Sequence, residues 1–282
     1  MPSGPPTVKS LELAEQFARR TGCETVVAFG GGSVIDTARI LAMKLGNSQA
    51  SLNDYMKVVG GSIAESPSVP LLVVPTCPGS GTEVLKQSFL SFEEELMLPV
   101  NVQDESKQAV VLDPDLMDQL PQETAGMMYI ATLMNLIETY VSPAASEESK
   151  AMSLAGLQIC ADNIRGTTKG RHHCTVMTAR AVSYMPYVLG AALPDAADQM
   201  MQASTLTSAA LTTAPAGVCQ GLALGATAKY TLLYSHTAAA IASHALEATI
   251  ECVCAALCCV LWRACAARNE RGGWHQDAGG TR

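Results

Sequence analysis

The chain has 282 residues, of which 48% are hydrophobic and 16% charged, with a formal net charge of −8. This composition predicts a folded protein of one large or two modest domains, and its acidity argues against a nucleic-acid partner, which would require a basic surface. No apolar run reaches the about 20 residues of a membrane span, and the charged N-terminal segment does not resemble a secretory signal. We therefore expect no membrane partner and a cytoplasmic protein whose ten cysteines are reduced.

The first half of the chain alternates between predicted helices and predicted strands. Apolar periodicity predicts helices at residues 11–20 and 36–45, and short apolar runs predict strands at 25–29, 68–75 and 108–112. Continuous apolar runs of this kind are typical of parallel strands that are buried on both faces. The alternation predicts a doubly wound α/β unit.

The first strand leads through three glycines at positions 30–32 directly into a helix. Glycine lets the backbone approach a ligand closely, and the N–H groups at a helix N-terminus suit a phosphate. Ser33 can cap this helix, with Asp36 three residues later as in a capping box, so we expect Asp36 to be a cap and structural anchor. The alternative is a tight strand-to-helix turn that binds nothing.

A second glycine-containing segment, PTCPGSGTE at residues 75–83, follows the strand at 68–75. Ligands of doubly wound sheets bind beyond the carboxyl ends of the strands. Since both glycine segments follow strand ends, we expect them to line one crevice.

The strand signal ends near residue 116, and the second half is predicted to be all-helical, with helices at 121–140, 146–164 and within 197–266. This pattern divides the chain into an α/β domain at 1–116, an all-helical domain at 117–268 and a disordered tail at 269–282.

Five motifs in this order resemble those of the iron-containing alcohol dehydrogenase family. They are GGGSVIDTAR at 30–39, PTCPGSGTE at 75–83, DPDL at 113–116, IETYVS at 137–142, and ASTL at 203–206 followed by Gly217. The resemblance implies a dehydroquinate synthase-like architecture, with an α/β dinucleotide-binding domain followed by an all-α domain. It thus implies that the domain at 1–116 is a partial nucleotide-binding domain and that the domain at 117–268 is a metal and substrate domain. Because the glycine run begins at residue 30, the first strands of the family's sheet are expected to be missing, which would expose a sheet edge and apolar surface.

The resemblance also implies that NAD or NADP binds in the crevice. The pyrophosphate cradle corresponds to Gly30, Gly31, Gly32 and Ser33, and the second cofactor loop corresponds to Thr76, Cys77, Ser80 and Thr82. Cys77 stands where threonine is usual, which removes a good hydroxyl donor. Arg39 replaces a lysine, and without a specific role it would be a solvated helix charge.

In the resembled family, one Asp and three His hold Fe²⁺ or Zn²⁺ between the domains. The corresponding positions here are Ala131, Asn135, Gln220 and His236. Alanine cannot bind a metal, and an amide oxygen is a poor replacement for imidazole. We therefore expect a degenerate metal site in which only His236 is a strong ligand.

The implied function is NAD(P)-dependent and metal-dependent hydride transfer between a small-molecule alcohol and an aldehyde or ketone. The alternative is an inactive or truncated relative that keeps the nucleotide crevice without the metal. A third interpretation is a metal-independent reductase, for which Tyr129 and Tyr140 are conceivable acids, although both are expected to pack on helices. No catalytic side chain is assigned, and a homo-oligomer is compatible with the resemblance.

Overall fold

A computed structural model describes the chain at residues 6–47, 51–56, 64–79, 81–92, 96–102, 108–117, 120–163, 188–190, 196–214, 217–230 and 232–271. The chain divides into two compact units, residues 1–243 and residues 244–282. The sheets, the packed helices and the candidate site described below belong to the first unit.

The main sheet has four parallel strands in the order β1-β2-β5-β6. They are β1 (Val26–Gly30), β2 (Leu71–Pro75), β5 (Gln108–Leu112) and β6 (Val188–Gly190). In register, Val26 lies beside Leu71 and Leu71 beside Gln108, so the carboxyl ends of the first three strands lie at the same edge. The predicted parallel α/β unit is confirmed. The short strand β6 is a correction to the expectation that the second half contains no strand.

Helix α1 (Val8–Thr21) precedes β1, while α2 (Gly32–Gly46) and the short α3 (Leu52–Tyr55) lie between β1 and β2. An antiparallel hairpin of β3 (Gln87–Phe92) and β4 (Leu96–Asn101) forms a second sheet that the sequence analysis did not predict. A 3-10 turn at Pro114–Met117 follows β5.

The second half is built mainly from helices, as predicted. They are α4 (Gln122–Val141), α5 (Glu147–Asn163), α6 (Ala196–Leu211), α7 (Val218–Tyr230) and α8 (Tyr234–Arg271). Helix α8 extends three residues into the segment predicted as a tail, and residues 272–282 lie outside the described residues. No helix in the described part of the chain is long and apolar enough to cross a membrane.

Helix α2 is buried on two faces. Ile35, Ala38 and Ala42 pack with the apolar side chains of the main sheet. Ile40 and Met43, on the other side, pack with α1 and the hairpin. This double burial places the N-terminus of α2 firmly at the end of β1. A separate core joins α4, α5 and α6.

Strand β1 lies at one end of the described four-stranded sheet. Its Val27 and Phe29 side chains are 60% and 53% exposed, whereas Val26 and Ala28 are buried. Within the described residues, the expected sheet edge with exposed apolar side chains is therefore present.

Two helix glycines should respond to alanine in opposite directions. A Cβ on Gly46, the last residue of α2, would lie 2.1 Å from the carbonyl oxygen of Pro67, whereas a Cβ on Gly126 in α4 meets nothing within 4 Å. We expect Gly46→Ala to lower the melting temperature because backbone must move. Gly126→Ala should raise stability by up to about 1 kcal/mol through helix propensity. Thermal unfolding of both variants tests this; equal shifts would contradict the packing at Gly46.

Candidate functional site

The first glycine loop joins the end of β1 to the start of α2. Gly30 has φ +158°, and a Cβ there would come within 2.7 Å of the Val34 side chain, so this turn requires glycine. Gly31 is the N-cap of α2, and no side chain caps the helix. The first helical hydrogen bonds run from Val34 and Ile35 to the Gly31 carbonyl. The N–H groups of Gly32 and Ser33, which precede these bonds, thus have no intrahelical acceptor, and this is the arrangement that binds a phosphate.

The expected capping box at this helix is wrong. Ser33 is exposed, its hydroxyl does not cap α2, and its backbone carbonyl accepts a hydrogen bond from Thr37. Asp36 is 5% exposed and faces the protein interior. The reason is that the N-cap is Gly31 and not Ser33, so the helix begins two residues earlier than expected, at Gly32, and Asp36 lies in its second turn on a buried face.

The second glycine loop lies beside the first, as the sequence predicted. The Thr76 N–H donates to the Gly30 carbonyl over 3.1 Å. The Cys77 sulfur lies 2.8 Å from where a Cβ on Gly31 would be, and it faces the Gly32 N–H. Thr82 is buried. Ser80, also predicted for this loop, lies outside the described residues.

The Cys77 side chain does not have the properties of a nucleophilic thiol. Burial raises the pKa of its thiol to about 11, and the nearby Glu83 carboxyl adds to that rise. At neutral pH the side chain is therefore a protonated thiol that fills space beside Gly31.

Arg39 is 3% exposed, so the expectation of a solvated charge is wrong. Its Nη1 donates to the Thr82 carbonyl over 2.6 Å, which ties α2 to the second loop. The guanidinium also acts on the buried carboxyls of Asp36 and Glu83 and lowers the pKa of each. Burial is the larger effect: it raises the pKa of Asp36 to about 7 and raises that of Glu83 above its usual range.

The four positions that correspond to the family's metal ligands do not fit a metal. Ala131, Asn135 and Gln220 are buried in helices, and the Asn135 Oδ1 accepts a hydrogen bond of 3.0 Å from the Tyr234 hydroxyl. The Nδ1 atom of His236 is buried without a hydrogen-bond partner. Nowhere in the described ranges do three His, Cys, Asp or Glu side chains lie together in a way that could hold an ion.

The sequence analysis did not identify Tyr234 as a residue of this site, because its hydrogen-bond partner Asn135 lies 99 positions earlier in the chain. Of the two tyrosines considered from sequence, Tyr129 is buried and donates to the Cys160 carbonyl of α5, as expected for a packing residue. Tyr140 is 41% exposed.

Glu138 is a further buried acidic residue that the sequence analysis left without a role. Its carboxylate accepts the N–H groups of Cys219, at 2.6 Å, and Gln220, at 3.3 Å, and so caps the N-terminus of α7. A Cβ on Gly217 would lie 2.2 Å from the Glu138 carboxyl carbon, so this glycine makes room for the cap. Both residues lie in motifs quoted from the sequence, IETYVS and the stretch that ends at Gly217, but the sequence did not predict that they meet.

Both glycine loops lie in a segment of the chain that is similar to known proteins. Residues 3–114 match the model of the family described as iron-containing alcohol dehydrogenase. The 4-hydroxybutyrate dehydrogenase of Cupriavidus necator is 30% identical over 158 residues, 56% of this chain and 41% of that protein. Long-chain-alcohol dehydrogenase 1 of Geobacillus thermodenitrificans is 30% identical over 160 residues, 57% of this chain and 40% of that protein. Over residues 3–114 the chain is similar to the iron-containing alcohol dehydrogenases.

The fold comparison extends beyond the segment that matches the family model. The crystal structure of sulfoacetaldehyde reductase from Bifidobacterium kashiwanohense in complex with NAD⁺ has a TM-score of 0.68 at 18% identity and covers 86% of this chain. The match spans 58% of that structure, and the chain spans about two fifths of the length of the curated iron-containing alcohol dehydrogenase relatives above. The predicted dehydroquinate synthase-like fold class is confirmed.

The Asp36 carboxyl should make stability depend on pH. Its pKa in the folded protein, about 7, is above the ordinary value of 3.8, so the folded state holds the proton more tightly. The contribution of Asp36 to the free energy of unfolding is therefore greatest below pH 3.8 and falls as the pH rises to about 7. Asp36→Asn does not titrate, so its stability relative to wild type should improve between pH 5 and pH 8 by on the order of 2 kcal/mol. Urea unfolding at both pH values measures the difference; a constant difference would contradict the argument.

Glu138→Gln should destabilise the α4–α7 contact, because an amide offers one acceptor to the two N–H groups and loses the charge at the helix N-terminus. We expect a loss of about 1–3 kcal/mol in thermal or urea unfolding. Glu147→Gln is the matched control: the Glu147 side chain is 91% exposed, and its pair with Lys150 should contribute little. Similar losses in both variants would rule out the capping role.

Proposed function

We propose that the chain binds NAD or NADP in the crevice between its two glycine loops and acts as an alcohol or aldehyde oxidoreductase. The observation that carries this proposal is the Thr76–Gly30 hydrogen bond, which sets the two loops side by side at the carboxyl ends of β1 and β2. The named activities of the curated relatives, 4-hydroxybutyrate dehydrogenase and long-chain-alcohol dehydrogenase, support this class of substrate. The NAD⁺ complex of a protein with the same fold supports the cofactor.

In this proposal, the backbone of the first loop binds the pyrophosphate. The N–H group of Ser33 at the start of α2 would donate to a phosphate oxygen, beside the Gly32 N–H that faces the Cys77 sulfur, and the positive end of the helix dipole favours the negative charge. Thr76 and Cys77 form the neighbouring wall of the crevice. The bound nicotinamide supplies the hydride acceptor or donor, so no covalent protein nucleophile is needed.

The proposed mechanism includes no metal, because the described side chains at the four positions assigned to metal ligands do not form a set that could bind one. This observation favours a second candidate function, a nucleotide-binding relative without turnover. In that protein the Tyr234–Asn135 hydrogen bond would stabilise the helix contact where the relatives' metal ligands would lie.

Ser33 offers a sharp test of the crevice. An aspartate in the first turn of α2 stabilises the helix but repels a phosphate. We therefore expect Ser33→Asp to keep or raise the melting temperature and to weaken NADH or NADPH binding at least about tenfold, measured by fluorescence titration. Ser33→Asn is the neutral control of matched size. Unchanged affinity in Ser33→Asp would place the nucleotide elsewhere.

The same protein sample distinguishes the two functions. After incubation with Fe²⁺ or Zn²⁺ and desalting, elemental analysis should find less than stoichiometric metal. Nucleotide-dependent reduction of an aldehyde then supports an oxidoreductase that works without the metal, whereas binding without reduction supports the second candidate. Stoichiometric metal would overturn the assignment of the ligand positions, and a wild-type protein that binds neither nucleotide would refute both functions.

A further inference from the structure

We propose that Ser204 is a positioning residue for the second glycine loop and that it controls nucleotide affinity without touching the nucleotide. This inference rests on the proposed nucleotide binding at that loop. Ser204 lies on α6, in the helical half of the chain, and is 1% exposed. Its hydroxyl accepts the Gly79 N–H at 2.9 Å and donates to the Glu83 Oε1 at 3.1 Å.

One hydroxyl thereby fixes both ends of the segment from Gly79 to Glu83. One helical turn later, the Ser208 hydroxyl accepts the Val84 N–H at 2.8 Å. Residues four apart lie on the same face of a helix, so α6 presents two hydroxyls in a row to the loop. The backbone N–H groups of Gly79 and Val84 thus find their hydrogen-bond acceptors on α6.

The loop depends on such external contacts because its own sequence is permissive. Gly79 and Gly81 have φ values of +105° and +60°, in the left-handed half of the conformational map. Glycine reaches these conformations at little steric cost but also reaches many others. A specific loop geometry therefore has to come from the surroundings.

Two helices, α4 and α6, pack closely against the second glycine loop. A Cβ on Gly79 would lie 2.8 Å from the Met128 carbonyl oxygen of α4, and a Cβ on Gly81 would lie 3.2 Å from the Thr207 methyl of α6. The loop is thus packed between two helices, and a displacement of α6 would be transmitted to it. Within this space, the Ser204 hydroxyl makes polar contacts with both ends of the loop.

Removing the hydroxyl would take a hydrogen bond from two buried groups at once. The Gly79 N–H would lose its acceptor, and the Glu83 carboxyl, one of whose oxygens already has no hydrogen-bond partner, would keep only the contact with its own backbone N–H. Unsatisfied buried groups are costly, so the loop is expected to leave this conformation to reach water. The nucleotide would then have to restore the conformation on binding, which lowers its apparent affinity.

The test compares Ser204→Ala with Thr205→Val on the same helix. Thr205 is also buried, but its hydroxyl donates to the Met201 carbonyl within α6 and does not contact the loop. We expect Ser204→Ala to weaken NADH or NADPH binding about tenfold, with Thr205→Val close to wild type at a similar melting temperature. Ser204→Thr, which keeps a hydroxyl, should recover most of the affinity. Equal losses in the alanine and valine variants would reduce Ser204 to a structural residue.

Hydrogen exchange provides a readout that needs no nucleotide. In the unliganded protein, the amides of Gly79 and Val84 should exchange faster in Ser204→Ala than in wild type, with no such change in Thr205→Val. If wild type binds neither nucleotide while this exchange pattern appears, the proposed function fails and the positioning contact stands. If wild type binds and the exchange of the loop is unchanged in Ser204→Ala, the positioning role is wrong.

Discussion

Arg39 is a buried cation on which the arrangement of both glycine loops depends. Burying a guanidinium is costly unless hydrogen bonds and opposite charge compensate. Here the Thr82 carbonyl supplies a hydrogen bond, and the carboxyls of Asp36 and Glu83 supply the charge. Two ionised carboxylates would leave this interior with a net negative charge. Burial raises the pKa of both acids, and with one of them protonated the cluster is neutral. The Arg39–Thr82 hydrogen bond and this charge balance together join α2 to the second loop.

In the helical half of the chain, hydrogen bonds between helices take the role that the buried charges around Arg39 have in the first half. Glu138 satisfies the N-terminus of α7, and Tyr234 satisfies the Asn135 side-chain oxygen. Both contacts are hydrogen bonds between side chains or backbone groups of different helices. The helices therefore have a polar framework of their own.

The sequence predicted the elements that local pattern determines and missed those that tertiary contacts determine. The strands β1, β2 and β5 follow from continuous apolar runs, and the two loops follow from glycines after strand ends. The sequence analysis missed the β3–β4 hairpin for two reasons. Pro99 within β4 argues against a strand, and Ser88 and Ser91 of β3 are polar yet buried. Arg39 was assigned to solvent by its charge alone. Its burial depends on Thr82, 43 positions away, which no local pattern shows.

The proposed nucleotide crevice and the positions that the resemblance assigns to a metal use different kinds of atoms, so one could persist without the other. The proposed crevice consists of backbone N–H groups and glycines, and Arg39 and the α6 hydroxyls contact its second loop, whereas the positions assigned to a metal are side chains on α4, α7 and α8. Tyr234 does not replace the metal as an acid. Its hydroxyl is already donated to Asn135, and burial raises its pKa above the usual value. Because burial makes Tyr234 a weaker acid than a free tyrosine and its proton already lies in the hydrogen bond to Asn135, it is a poor candidate for the proton donor of a reduction by this chain.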